Sequence, residues 1–202
     1  MAHADWLVPS KNSGSGNDTV NFSAGSQNTG RNARSTNVTF KAVGCEDAII
    51  TPAQAGKPEF GQFSNSTASQ VKSGGTLTLS GTSNSSKLTF SKGTDNIGLT
   101  LPTTYTAAGV STNNGDAISG DPGATAEYNW SIQLTIPANT GVDPLTCQIV
   151  VTDDAGHTNT CTITLAAGDA TLSVSAVSGD IPWDASTSVS VTVTSNTNWT
   201  IE

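Results

Sequence analysis

The segment YNWSIQLTIP at residues 128–137 gives the clearest strand pattern in the chain. Four apolar residues alternate with polar ones, as in a strand that buries one face: Trp130, Ile132, Leu134 and Ile136. Residues 146–165 contain two more alternating runs around a turn at residues 153–156, which predicts a hairpin. With weaker runs at 75–80, 87–90 and 97–101, the pattern predicts an all-β fold with a β-sandwich of about six or seven strands over residues 57–168.

The composition of the chain argues against nucleic-acid binding and against membrane insertion. Only 12% of the 202 residues are charged, and the formal net charge is -8, which argues against a nucleic-acid partner because such partners require a basic patch. No stretch approaches 18 apolar residues, so we expect no membrane insertion. Residues 106–126 are rich in Gly, Asn, Asp and Ala, and they predict a long surface loop.

Each end of the chain carries the strand pattern of an incomplete β-domain. Residues 4–17 and residues 195–202 each read as half of a β-domain, and placed second-then-first they form a continuous series of strands and turns. Residues 19–24, 35–42 and 48–56 add alternating runs at one end. We expect Val20, Phe22, Val38 and Phe40 to face inward, and Pro52 indicates an edge or a bulge. Residues 170–174, 188–193 and 195–201 add runs at the other end.

A family resemblance rests on motifs in the first 56 residues. They are Trp6-Leu7, Ser13-Gly14-Ser15-Gly16-Asn17, Thr19-Val20, Asn28, Arg34 and Gln54-Ala55-Gly56. This series resembles the C-terminal half of a BACON domain, an immunoglobulin-like sandwich module common in Bacteroidota and their phages. Residues 169–202 resemble the missing N-terminal half. The chain departs from the family in this split order and in residues 50–53.

In the central part of the chain, VVTDDAG at residues 150–156 resembles the end of many bacterial and phage immunoglobulin-like domains. Together the two resemblances imply two immunoglobulin-like β-sandwich domains. Residues 1–56 plus 169–202 form a BACON-like domain built from both ends, and residues 57–168 form an inserted domain. We expect the ends to close within one chain, with Trp6 and Trp199 in the core. Deleting residues 195–202 is then expected to cost about 3 kcal/mol or more.

Few residues indicate chemistry, and the sequence predicts no enzyme, cofactor or metal. Asp153, Asp154 and His157 lie together at the predicted hairpin tip, but they lack calcium-loop spacing, so a solvated turn is favoured. Asp116 and Asp121 flank residues 118–120 and are an alternative pair of glycosidase carboxylates, which is disfavoured because no aromatic-lined cleft accompanies them. We expect the loop and the hairpin tip to contact a partner.

Aromatic and thiol residues leave further alternatives. Trp183, in a turn, is the candidate exposed aromatic for glycan or partner contact. Cys147 and Cys161 are expected to face each other across the hairpin, either as buried thiols, which we favour, or as a disulfide. Cys45 is either a turn residue or a reactive thiol.

Three classes of function remain, and no residue pattern supports the enzyme class. The favoured class is a virion auxiliary protein that decorates the capsid of a tailed, crAss-like phage, because residues 1–5 lack a secretory signal and production in the host cytoplasm is expected. Its partners are then the capsid protein or copies of itself. The alternative is a fragment of a secreted or surface carbohydrate- or mucin-binding protein of a gut Bacteroidota bacterium.

Overall fold

The structure is a computed structural model that describes residues 3–202. Met1 and Ala2, which open the predicted N-terminal half-domain, lie outside the described residues. The described chain is built from strands and one short 3-10 helix, Pro122–Ala124, which confirms the all-β prediction. We call residues 3–56 the N-terminal module, residues 57–168 the central sandwich and residues 169–202 the C-terminal tail.

The N-terminal module contains six short strands. They are β1 (Leu7–Pro9), β2 (Phe22–Ala24), β3 (Arg34–Ser35), β4 (Val38–Phe40), β5 (Ala48–Ile50) and β6 (Ala53–Gln54). They pair as three separate two-stranded antiparallel sheets, β1 with β2, β3 with β6 and β4 with β5. Pro52 separates β5 from β6, as its lack of an N–H group predicts.

The central sandwich contains nine strands in two sheets. They are β7 (Gly61–Phe63), β8 (Thr67–Gln70), β9 (Gly75–Ser83), β10 (Leu88–Asp95), β11 (Thr104–Ala107), β12 (Val110–Asn113), β13 (Tyr128–Ile136), β14 (Leu145–Asp153) and β15 (Thr158–Leu165). One sheet has the order β12-β11-β13-β9-β7, and the other has the order β10-β14-β15-β8. All pairs are antiparallel except β8 with β15. Nine strands therefore form two sheets between residues 61 and 165, where the sequence predicted six or seven strands.

The core of the sandwich lies around Trp130. The four alternating residues of β13 are each 2% exposed or less. Phe63 and Phe90 place their rings edge-on to Trp130, with centroids 5.0 and 5.1 Å away. Gly81 on β9 lies directly beneath the indole, where a Cβ atom would stand 2.3 Å from Trp130 Cζ2. This close approach accounts for a glycine inside a long strand.

Two local predictions in the sandwich were wrong. Residues 106–126 are not a long surface loop, because β11 pairs with β13 and forms a hairpin with β12, and Ile118 is buried. Residues 97–101 are not a strand. Asp95 Oδ1 accepts hydrogen bonds from the Ile97 and Gly98 N–H groups, both at 3.0 Å, and Gly98 has a φ of 76°, so the chain turns there.

The C-terminal tail forms one small hairpin, β16 (Leu172–Val174) with β17 (Val193–Ser195). Neither strand pairs with the N-terminal module. The structure therefore corrects the prediction that the two ends close into one sandwich within the chain. Trp199, expected in that core, is 47% exposed, and Trp6 is only half-buried, with Arg34 over its ring at 4.9 Å.

The physical reason is that the two ends are attached to opposite ends of the central sandwich. Arg31 binds Asp121 in a two-pronged ion pair and donates to the Asn84 carbonyl at 3.1 Å, beside the end of β9. Asn196 donates to the Thr140 and Asp169 carbonyls, both at 2.9 Å, near the start of β9. Because β9 has 9 residues, these anchors lie about 27 Å apart along the strand.

Candidate functional site

A groove of about 610 Å³ opens on the N-terminal module between β1–β2 and β4–β5. Four side chains from these strands and the loop before β2 give it an apolar lining: Val20, Phe22, Val38 and Phe40. The rings of Phe22 and Phe40 meet edge-on at 6.5 Å. Sequence analysis predicted these residues to point inward, yet Phe40 is 41% exposed and the others are half-buried. The alternation was read correctly, but the expected second layer does not cover it.

Two loops form the walls of the groove. The loop between β1 and β2 is closed by a hydrogen bond from the Ser10 N–H to the Asn21 carbonyl at 2.8 Å. Gly16, with a φ of 68°, allows this loop to reverse, as its Gly-rich sequence predicts. The opposite loop turns at Gly44 and carries Cys45, which is exposed at the groove and unpaired.

The two lysines at the groove are each paired with a carboxylate. Lys11 lies 2.7 Å from Asp18 and Lys41 lies 2.8 Å from Asp47. The hydrogen bond from Lys11, helped by the Thr19 N–H, holds the pKa of the Asp18 carboxyl below its ordinary value. An apolar floor with a paired polar rim is suited to binding a partner surface.

The three candidate residues at the hairpin tip, Asp153, Asp154 and His157, differ in their exposure to solvent. The Asp153 side chain is fully buried, where it binds the His157 N–H at 2.7 Å and the His157 ring at 2.8 Å. It is therefore not available to contact a partner. Asp154 is partly exposed but pairs with Lys87 and Ser86, and the bond from Lys87 lowers the pKa of the Asp154 carboxyl. His157 remains exposed at the tip.

Asp116 and Asp121 also have structural partners. Asp121 holds Arg31 and so connects the N-terminal module to the central sandwich. The ion pair with Asp121 raises the pKa of the Arg31 guanidinium. Asp116 accepts a hydrogen bond from Asn113 Nδ2 at 2.9 Å. Sequence reasoning missed the Arg31–Asp121 pair because the two residues lie far apart in the chain.

The two hairpin cysteines are buried, free thiols, as the favoured alternative stated. They are not directly opposite, because Cys147 pairs with Ile163 and Cys161 pairs with Ile149. The turn includes His157, which moves the centre of the hairpin one residue beyond the expected position. Burial raises the pKa of the Cys147 thiol to about 11 and also raises that of Cys161.

Trp183 is 99% exposed, which confirms its prediction as an exposed aromatic. It lies in the tail between β16 and β17, far from the groove in sequence. Within residues 3–202, no group of three or more His, Cys, Asp or Glu side chains could hold a metal ion. No helix in this part of the chain is long and apolar enough to span a membrane.

The family comparison points to the same end of the chain as the groove. The family model described as "BACON: Putative binding domain, N-terminal" matches residues 1–51. The N-terminal module is BACON-like. The match covers all of the apolar lining residues of the groove, so the BACON-like module and the candidate site coincide. A comparison with curated proteins finds no match.

Proposed function

We propose that the chain is a non-catalytic interaction protein that serves as an auxiliary, decoration protein of a phage virion. The observation that carries this proposal is the apolar groove of the BACON-like module, which lies open to solvent. Its volume is within the range of about 300–1,000 Å³ that binding sites occupy. Both of its lysines, Lys11 and Lys41, pair with carboxylates, which suits a binding surface better than proton transfer.

The rest of the molecule supports a role in assembly. The central sandwich has a continuous hydrophobic core, and the N-terminal module and the C-terminal tail are attached at its two ends. Exposed apolar side chains concentrate at those ends: Val8, Phe40, Ile49 and Ile50 on the module, and Leu172, Val174, Trp199 and Ile201 on the tail. Apolar surface exposed in such patches is typical of protein contacts. The proposed location is the virion, assembled in the host cytoplasm.

Particle composition tests the virion role. Particles are purified by density gradient from a lysate of the culture that carries the gene, and their peptides are identified by mass spectrometry. We expect this chain in the particle band at a fixed ratio to the capsid protein. A Phe40→Lys variant should be lost from the band, whereas Ser13→Lys, on the polar groove wall, should be retained. Absence of the wild-type chain from purified particles would overturn the virion role.

A second candidate function is glycan binding through Trp183. The observation that favours it is the full exposure of the indole, which offers a flat apolar face for a sugar ring. A glycan array probed with wild type, Trp183→Ala and Trp199→Ala separates the two aromatics. Signal lost only in Trp183→Ala supports this function, and no signal with wild type excludes it for the glycans on the array.

A further inference from the structure

The N-terminal module has too small a hydrophobic core to be stable by itself. Within its described residues, 3–56, Leu7 is the one hydrophobic side chain that is buried, and it lies outside the continuous core of the central sandwich. The six strands of the module have two or three residues each and pair only in twos. Isolated two-stranded hairpins are marginal in water, and a single buried side chain does not offset the entropy of ordering such a chain. The module therefore depends on contacts with the rest of the molecule.

Those contacts are concentrated around residues 29–32, which lie against residues 121–127 of the central sandwich. Two backbone N–H groups of the first segment donate to carbonyls of the second, Arg31 to Gly123 at 2.9 Å and Asn32 to Ala124 at 3.0 Å. The two-pronged ion pair between Arg31 and Asp121 closes the same contact. We call these contacts the latch.

The latch brings two backbone segments into direct contact at Gly30. This glycine is buried, and a Cβ atom added to it would overlap the Thr125 carbonyl carbon and the Ala124 oxygen. Because Gly30 does not have a positive φ, glycine is required there by the close approach and not by the backbone conformation. Backbone atoms cannot rotate away as a side chain can, so any side chain at this position pushes the two segments apart.

A chain of contacts connects the latch to the groove. Asn28, which is buried beside the latch, donates to the Asn32 carbonyl at 2.8 Å and to the Ala55 carbonyl at 3.2 Å. These bonds hold the start of β3 beside the end of β6, and the two strands pair. Arg34, the first residue of β3, stands over the ring of Trp6, next to β1, whose hairpin with β2 forms one side of the groove. Opening of the latch therefore removes the support of this side.

We infer that the latch controls the binding groove: the N-terminal module is ordered, and its groove is formed, only while residues 29–32 are docked on residues 121–127. This inference rests on the proposed function, since it concerns the regulation of the site proposed there. Because a ligand of the groove binds only the ordered module, ligand binding and closure of the latch stabilise each other. A change at the latch therefore abolishes binding although no residue that lines the groove is altered.

A pair of glycine variants tests the latch in the full chain. Gly30→Ala places a methyl group against the backbone of residues 124–125, whereas Gly179→Ala makes the same change where no atom lies within 4 Å and φ is not positive. Amide exchange followed by mass spectrometry should become about tenfold faster or more in β1, β2, β4 and β5 of Gly30→Ala. Strands β13 and β14, and all strands of Gly179→Ala, should keep the wild-type rates. Wild-type rates in the module of Gly30→Ala, or equal acceleration in β13 and β14, would overturn the inference.

Cys45 gives an independent measurement at the groove. It is exposed, whereas Cys147 and Cys161 are buried, so a thiol-reactive dye labels Cys45 alone in the folded chain. The fluorescence anisotropy of the dye should fall in Gly30→Ala, because the labelled loop then moves independently of the whole molecule, and should stay at the wild-type value in Gly179→Ala. Equal anisotropy in wild type and Gly30→Ala would overturn the inference. Melting of the central sandwich, unchanged in both variants, shows that each is folded.

The outcomes separate this inference from the proposed function. Amide exchange and anisotropy use purified chain without particles, whereas the virion role is measured on particles. An equally ordered module in wild type and Gly30→Ala, together with wild type on particles, would reject the latch and leave the interaction role in place. A disordered module in Gly30→Ala, together with absence of wild type from particles, would support the latch and reject the virion role.

Discussion

The central sandwich and the two ends have the same kind of sequence but different burial. In β13, Ile132 and Leu134 alternate with polar residues and are 1% and 0% exposed. In the tail, Val174 and Val191 alternate in the same way and are 56% and 44% exposed. The difference lies in the neighbours: β13 pairs on both sides and faces a second sheet, whereas β17 pairs on one side. Alternation specifies a strand with an apolar face, but burial of that face requires a second layer.

The largest effect is expected in the sandwich core. Trp130→Ala removes a side chain that is 2% exposed and packs against Phe63 and Phe90, so it should lower the free energy of unfolding by about 3–5 kcal/mol. Trp183→Ala, which removes the same side chain where it is 99% exposed, should change it by less than about 0.5 kcal/mol. Chemical denaturation measures the free energy of unfolding of both variants. Equal losses in the two would contradict the difference in burial between the central sandwich and the tail.

The second-largest effect on stability is expected at the junction between the N-terminal module and the central sandwich. Arg31→Ala removes the ion pair with Asp121 and the hydrogen bond to the Asn84 carbonyl, and should destabilise attachment of the N-terminal module by about 1–3 kcal/mol. Amide exchange should increase in the module and stay unchanged in β13 and β14. Lys41→Ala, whose pair with Asp47 is exposed, is the matched control and should have little effect. Faster exchange throughout the sandwich would show that the regions unfold together.

Alkaline pH should weaken the sandwich through its buried thiols. Because burial raises the pKa of Cys147 to about 11, the folded state holds that proton more tightly than the unfolded chain does. The contribution is complete below about pH 8 and is lost as the pH rises through about 11, at a cost of about 2–3 kcal/mol. Melting followed from pH 8 to 11 should show this decline, and Cys147→Ala should reduce it. An equal decline of melting temperature with pH in wild type and Cys147→Ala would contradict the assignment of this effect to Cys147.

The smallest effect is expected at the tail. Deleting residues 197–202 removes Trp199 but keeps Asn196 and its hydrogen bonds, so the dilute chain should lose less than about 1 kcal/mol. For deletion of residues 195–202, the sequence alone predicts a loss of about 3 kcal/mol or more, on the assumption that Trp199 lies in a core. Thermal melting at low concentration measures the effect. A loss as large as that of Trp130→Ala would show that the tail is packed.

Local patterns predicted much of the sandwich. Strand β13, the hairpin of β14 and β15 and the turn near Gly156 follow from alternation and turn residues that act over a few positions. The groove was partly predictable, because the inward residues Phe22 and Phe40 were identified. The open groove that these side chains line could not be predicted, because their exposure depends on whether a second sheet covers them.

By itself, the sequence determined the all-β class, the strands β13, β14 and β15 and the exposure of Trp183. Only the tertiary structure decided which segments acquired neighbours. Asn84, in a polar stretch with no pattern of its own, is fully buried because its amide accepts from the Phe60 N–H at 3.0 Å and donates to the Lys57 carbonyl at 3.1 Å. Strand β11 forms because β13 lies beside it, and the chain ends stay apart because Arg31 and Asn196 bind opposite ends of the sandwich. Contacts between distant residues set these outcomes, and short-range patterns carry no information about them.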